Sequence, residues 1–329
     1  AAFCNRGDAL MELNRPDDAL ASFDSAIRRS PDMAEAHFGR ALALLTLDRL
    51  QDGFRAYEWR LKRAGMPRPG VGRGVPWDGR PIPPGKTLRI FPEAQIGDLL
   101  MFCRYARLLK EQGVRVVLAA PRHLHAILSD LGVLLADPTD PGHASEWHCS
   151  TMSLPFLCGT TETTIPALSP YLHADPDRIA MWRKRLGPDG LKVGLAWWGS
   201  PTAVEEQRTI PLSAFAPLAA IPGIRLIGLQ KGAGTEQLAD LPPGMAVEHF
   251  GADFDEGPDA FADTAAIVEC LDAVVTIDSS VANLAAALGR PTWVLLKHVA
   301  EWRWGRHGPT TPWYPTARLF RQPAPDDWD

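Results

Sequence analysis

The stretch AVVTIDSSVANLAAALGRPTWVLL, Ala273 to Leu296, decides how this chain is read. The β-branched run Val274, Val275, Thr276, Ile277 predicts a strand covered on both faces, as in a parallel sheet. Asp278 closes that strand, and Ser279 and Ser280 are placed to cap a helix that begins near Val281. Ala282, Ala285, Ala286 and Ala287 let this helix lie close to the sheet, and Gly289 with Pro291 ends it. A second buried strand follows. Such a turn points backbone N–H groups and the positive end of a helix outward at the carboxyl edge of the sheet, where phosphates and sugar hydroxyls bind. An ordinary, well-capped βαβ unit produces the same pattern of elements.

Working upstream, the same alternation of strand and helix continues. The apolar runs predict strands at Lys192–Trp197, Arg225–Leu229 and Ala246–His249, with helices near Ser213–Ala220 and over Ala260–Cys270. An earlier block has a strand at Leu88–Phe91, a helix from about Asp98 to Gln112, a strand at Val114–Ala119 and a helix at Arg122–Leu131. Short strands are predicted near Val133–Leu135 and Trp147–Cys149. Glu301–Arg321, rich in Trp and Pro, is expected to return across the junction between the two blocks. Two Rossmann-like halves facing one cleft follow from this order.

The first residues read differently. Gly7, Leu10, Ala19, Phe23, Ala26 and Pro31 match the small and bulky positions of a tetratricopeptide repeat, two antiparallel helices per unit. Ala41, Leu44, Gly53 and Tyr57 repeat the pattern 34 residues on, and Arg6 with Arg40 and Leu13 with Leu47 fall in the same register. The second copy ends at Glu58-Trp59-Arg60. Two units are fewer than a free-standing solenoid needs, so they either end a longer array or pack on the next domain. Residues 64–85, AGMPRPGVGRGVPWDGRPIPPG, are dense in Pro and Gly and predict a linker without regular structure. The expected organisation is therefore repeats over 1–63, a linker over 64–85, an N-terminal Rossmann-like domain over 86–185 and a C-terminal Rossmann-like domain over 186–329.

Composition narrows the function classes. The chain has 329 residues, 46% hydrophobic and 22% charged, which describes a globular protein of two or three domains. A net charge of −5 leaves no basic footprint for nucleic acid or an anionic membrane. No apolar run reaches the length of a membrane span. Cys4, Cys103, Cys149, Cys158 and Cys270 form no C-x-x-C pair and sit mostly among apolar neighbours, which suits reduced core residues in a cytoplasmic protein. No signal peptide is visible, and the chain begins without Met inside a helical pattern, which leaves room for an upstream segment.

The wording T-x-D-[ST]-x-x-x-H-L-A-A-A-L-G-x-P resembles the nucleotide-sugar motif of the ADP-heptose:lipopolysaccharide heptosyltransferase family, a glycosyltransferase family 9-like group. More closely, the chain resembles bacterial proteins that join tetratricopeptide repeats to such a domain. The resemblance implies an α/β GT-B arrangement, a pair of Rossmann-like domains preceded by an all-α repeat segment. It implies an inverting glycosyltransferase that works without a bound metal, with a nucleotide sugar as co-substrate and no other cofactor. No cluster of His, Cys and carboxylates has metal-ligand spacing, and no metal site is expected.

The same resemblance assigns residues. Gln95-Ile96-Gly97-Asp98 stands where relatives show G-x-G-D, and it makes Asp98 the general base that takes a proton from the acceptor hydroxyl. A structural reading of Asp98 is the cap of the helix that follows. Gly199-Ser200 after strand Lys192–Trp197, and Arg208-Thr209-Ile210-Pro211 after the next loop, resemble the phosphate segment. Arg208 would pair with the diphosphate, or instead with Glu205 or Glu206 at the surface. Gln230 and Lys231 would lie by the nucleotide, as would Gly97, Asp278, Ser279, Ser280 and Asn283. Trp302, Trp304 and Trp313 are expected to pack rather than to stack on a ligand. Asn283 stands where the family usually has His, Gln95 replaces a glycine, and the loop T-A-V-E-E-Q is acidic. These departures favour an alternative, a catalytically inactive binding or scaffold protein acting through its repeats. The repeats imply a protein partner, and a protein or cell-surface glycan as acceptor.

Overall fold

The computed structural model describes residues 1–65, 74–140, 145–199, 208–251, 254–257 and 259–328. Four helices open the chain: α1 (Ala2–Glu12), α2 (Pro16–Arg29), α3 (Ala34–Thr46) and α4 (Leu50–Tyr57). They form the two antiparallel pairs that the repeat predicts. Phe23 on α2 is fully buried, and its ring occupies the space that a Cβ on Gly7 or Gly39 would need. The small positions of the pattern are therefore sockets for the bulky one.

The second pair does not stand alone. Leu45, Leu50 and Phe54 belong to one continuous core with both α/β halves. Phe54 meets Trp302 edge-on at 5.6 Å and Trp313 at 6.2 Å between ring centroids. The second repeat thus packs directly on the next domain. Arg306 adds a polar contact, reaching the carbonyl of Asn14 between α1 and α2 at 3.2 Å.

A short 3-10 turn, Glu58–Lys62, ends the repeats and carries a buried guanidinium into the first α/β half. Arg60 donates Nε and Nη2 to the two oxygens of Glu93, both at 2.8 Å. It also meets Glu58 at 2.6 Å, Ser150 at 3.0 Å and Ser153 at 2.8 Å. Burial works against its charge, but the two carboxylates outweigh that cost and hold its pKa above the ordinary arginine value.

Each α/β half is a wholly parallel sheet. The first has the order β1 (Val75–Pro76), β5 (Trp147–Ser150), β2 (Thr87–Phe91), β3 (Arg115–Ala119), β4 (Leu134–Ala136). The second has the order β11 (Ala317–Arg321), β10 (Thr292–Leu296), β9 (Ala273–Ile277), β6 (Leu191–Ala196), β7 (Ile224–Gly228), β8 (Val247–Glu248). Growth of each sheet reverses beside its first long strand, between β2 and β5 and between β6 and β9. Loops diverge at such points and leave a crevice outside the carboxyl ends.

Three expectations need correction. Residues 64–85 are not free of regular structure: Val75 and Pro76 pair in parallel with Trp147 and His148, and Trp77 is buried. Proline is tolerated there because β1 is an edge strand. The helix predicted from Asp98 to Gln112 starts earlier and breaks at Cys103, into Ile96–Phe102 and Arg104–Glu111. Residues 122–131 form three short turns instead of one helix. A further strand, β11, lies inside the Trp- and Pro-rich segment.

Replacing Arg60 by Leu leaves Glu93 buried opposite no cation. The expected loss is about 3–5 kcal/mol of unfolding free energy. Arg60→Leu combined with Glu93→Leu should recover much of it. Urea denaturation of the wild type and both variants measures this, and a neutral single variant contradicts the role given to the pair.

Candidate functional site

The carboxyl ends of β6 and β9 and the loop after β2 meet at one cavity of about 410 Å³. Gln95, Ile96, Gly97 and Asp98 line it from the first half, and Trp198, Gly199, Arg208, Asp278, Ser279, Ser280, Asn283, Glu301 and Arg303 from the second. A neighbouring cavity of about 280 Å³ shares Trp198, Ser279 and Ser280 and continues to Gln230, Lys231 and Asp255. Together these two spaces collect the described candidates from the sequence. Ser200 and the acidic loop with Glu205 and Glu206 lie outside the described residues. Elsewhere, a cavity of about 450 Å³ on the far face of the second sheet is lined mostly by apolar groups such as Phe215, Trp293 and Phe320.

The turn after β9 forms as its sequence dictates. Ser279 is the N-cap of helix Ser280–Ala287, and its hydroxyl accepts from the Ala282 amide. The N–H groups of the first turn have no acceptor within the helix, and the positive end of the helix dipole faces the cavity. Across the cavity the helix Ile96–Phe102 presents Gly97. A Cβ there would lie 3.0 Å from Asn283 Nδ2, so glycine sets how closely the two halves approach.

Asp98 is not the N-cap. Gln95 takes that position, and Asp98 is the third helical residue of a capping box, its Oδ2 accepting from the Gln95 amide at 3.1 Å. Its other oxygen meets the Arg303 guanidinium at 2.5 Å. Arg303 in turn lies 3.4 Å from Glu301 Oε2. Glu301 Oε1 pairs with Arg208 at 3.1 Å, and Arg208 reaches Asp278 Oδ2 at 3.4 Å. Five charged side chains thus alternate in sign, Asp98, Arg303, Glu301, Arg208, Asp278, with one more carboxylate than guanidinium. Among the described residues, Arg208 thus pairs with two half-buried carboxylates of the cleft.

Glu301 and Arg303 are the residues that the sequence reading missed. A signal for them existed: in Glu301-Trp302-Arg303-Trp304 the two Trp are buried, and the charged residues that alternate with them turn to the cavity. Burial works against the charge of Arg303, yet Asp98 and Glu301 raise its pKa above the usual value. The Asp278 carboxyl is pushed up by burial, against the opposing pull of Arg208.

Other candidates are committed to the frame. Gln230 Oε1 accepts from the amides of Trp197 and Trp198 at 3.2 and 3.0 Å, and its Nε2 donates to Ala233. It ties the loop after β7 to the end of β6. Lys231 Nζ donates to the carbonyls of Phe254 and Asp255, each at 2.7 Å. Asn283 donates to the Ser279 carbonyl at 3.0 Å and accepts from the Tyr314 hydroxyl at 2.8 Å. Tyr314 belongs to a buried set around Arg104, whose guanidinium meets the Pro166 and Trp313 carbonyls and the Tyr171 hydroxyl. Trp302 packs on Phe102 and Trp313 is buried, as expected for structural aromatics.

Comparison with known proteins agrees with this architecture. Residues 4–69 match the family model of the tetratricopeptide repeat. Protein FlbA of Caulobacter vibrioides is 32% identical over 356 residues, covering 97% of this chain and 58% of FlbA. The chain thus spans little more than half the length of that relative. The crystal structure of the glycosyl transferase family 9 protein from Veillonella parvula superposes with a TM-score of 0.52 at 11% identity, over 73% of this chain and 86% of that one. This chain joins a tetratricopeptide segment to a two-sheet α/β fold similar to that of the Veillonella protein. The E. coli ADP-heptose lps heptosyltransferase II is also similar, with a TM-score of 0.48 and 14% identity over 71% of this chain and 90% of that one. Among the described residues no helix is long and apolar enough to cross a membrane.

The raised pKa of Asp278 has a measurable sign. Its folded form binds a proton more readily than the unfolded chain, whose Asp titrates near ~3.9. Stability contributed by this group is therefore full below the unfolded value and falls as pH rises through the folded one. Asp278→Asn should show a weaker loss of stability than the wild type as pH rises from about 4 to 7. Denaturation curves at several pH values decide it, and parallel profiles contradict it.

Proposed function

We propose that this chain is a glycosyltransferase that binds a nucleotide sugar in the cleft and transfers the sugar, with inversion, to a hydroxyl acceptor. The observation that carries this reading is the placement of Asp98 opposite the Asp278–Ser280 turn, across one cavity at the switch points of both sheets. A nucleotide fits the smaller space by Gln230 and Lys231, with its diphosphate at the helix that begins at Ser280. The turn amides and Arg208 then face the charge that builds on the leaving diphosphate.

Asp98 lies on the acceptor side. It takes the proton of the acceptor hydroxyl while that oxygen bonds to the anomeric carbon and the bond to the diphosphate breaks. The bonding pair leaves with the nucleotide. A single displacement of this kind inverts the anomeric centre. The reaction is assigned no metal, because Arg208 and the helix end supply the positive charge that faces the leaving diphosphate. The repeats, fused to the first half through Arg60, suit a protein acceptor or partner. Free, largely buried cysteines accord with a bacterial cytoplasmic setting.

A second reading has an observation of its own. The cleft holds three carboxylates to two guanidinium groups, and Asn283 is already engaged at both ends of its amide. That balance favours a scaffold that binds nucleotide weakly, or not at all, and does not turn over.

Two substitutions separate these readings. Arg208→Ala should weaken nucleoside diphosphate binding by about 1.5–3 kcal/mol, the loss of a charge-assisted hydrogen bond, as read by calorimetry. Asp98→Asn should abolish transfer from the nucleotide sugar while leaving nucleotide affinity within a factor of about three. Because Asp98 also pairs with Arg303, the variant should lose about 1–3 kcal/mol of stability. Full activity of Asp98→Asn assigns the base elsewhere, and a wild type that binds nucleotide sugars without turnover is the scaffold.

A further inference from the structure

The five alternating charges of the cleft connect its two chemical ends. Asp278 and Arg208 stand at the turn where a diphosphate is placed, and Asp98 stands at the acceptor side. Glu301 lies between them and contacts both guanidinium groups, Arg208 through Oε1 at 3.1 Å and Arg303 through Oε2 at 3.4 Å. Arg303 is in turn divided between Glu301 and Asp98, with the shorter contact, 2.5 Å, to Asp98. All five side chains are less than one-third exposed, so each cation's pairing is felt by its neighbours with little screening.

In such a chain a new anion at one end reassigns partners down its length. A diphosphate competes with Asp278 and Glu301 for Arg208. Glu301, losing that partner, turns its charge to Arg303. Arg303 then holds Asp98 less tightly. A carboxylate paired with a guanidinium is a poor proton acceptor, and loosening the pair improves it. We infer that Glu301 and Arg303 are positioning residues that couple donor binding to the release of the Asp98 carboxylate, so that Asp98 becomes available to the acceptor only after the donor is seated. The inference rests on the glycosyltransferase reading and adds its order of events.

The surroundings of Asp98 are specific. It faces Arg303 from the C-terminal segment, Tyr57 from α4 of the repeats, and the Gln95 amide of its own helix. Burial raises the pKa of Tyr57, against the pull of Arg303 and Arg60, so it stays neutral and adds no charge beside Asp98. Asp278 and Glu301 act on Arg303 from the other side. The direction of the change at Asp98 is therefore set by Arg303 and its competitor Glu301.

The test follows the Asp98 carboxyl by NMR in protein with carboxyl-labelled aspartate, its signal assigned by Asp98→Asn. Its titration is recorded alone and with saturating ADP, GDP or UDP, so no turnover is needed. Binding of at least one nucleotide should move the midpoint of Asp98 upward by on the order of one pH unit in the wild type. In Glu301→Gln the same nucleotide should bind but leave the midpoint nearly unchanged. Binding without a shift in the wild type overturns the coupling and leaves the glycosyltransferase reading standing. Failure of all three nucleotides to bind removes that reading and the coupling with it. The wild-type arm stands whether or not the variant folds.

Discussion

Charge pairing across the cleft is the constraint on which the rest of the arrangement depends. Asp98 comes from the first α/β half, Asp278 from the second, and Glu301 and Arg303 from the segment that crosses between them and the repeats. None of these side chains is well solvated, and a charge so placed must find an opposite partner or be neutralised. The partners lie on elements far apart in sequence, so the site exists only when the halves and the crossing segment are assembled. Gly97 permits the approach, and the aromatic contacts of Trp302 with Phe54 and Phe102 hold it.

The same crossing segment makes the repeats part of this assembly rather than an appendage. Two tetratricopeptide units bury too little on their own, and here the second unit completes its packing on Trp302 and Trp313. Arg60 then carries the end of the repeat into the carboxyl edge of the first sheet, where Glu93, Ser150 and Ser153 receive it. The far end of α4 thereby brings Tyr57 close to Asp98 and Arg303. The last helix of the repeats therefore also borders the site.

Much of this was legible in the sequence because it is local. The run from Ala273 to Leu296 specifies strand, cap and small-residue helix within itself, and the strand ends that gather at the cleft follow from the alternation of apolar runs. The repeat was readable because Gly7 and Phe23 recur at a fixed spacing as Ala41 and Tyr57. What escaped depends on distant partners. Asp98 sits at a helix start as expected, yet its pairing with Arg303 joins residues with no local relation. Gln230 looks like a ligand residue by position, whereas its amide closes on Trp197 and Trp198. Strand β1 was hidden by proline and glycine on both sides, and only its partner β5 makes Val75 and Pro76 extended. The alternation of buried Trp with Glu301 and Arg303 was a readable sign of a cleft-facing edge.

The position of a bound nucleotide decides what the cleft does. A crystal structure of the full chain soaked with a nucleoside diphosphate measures this directly. The diphosphate is expected within hydrogen-bond distance of the turn amides at Ser280 and of the Arg208 guanidinium, with the base toward Lys231. Density for the nucleotide in another part of the molecule, or none at a concentration that saturates binding in solution, contradicts it.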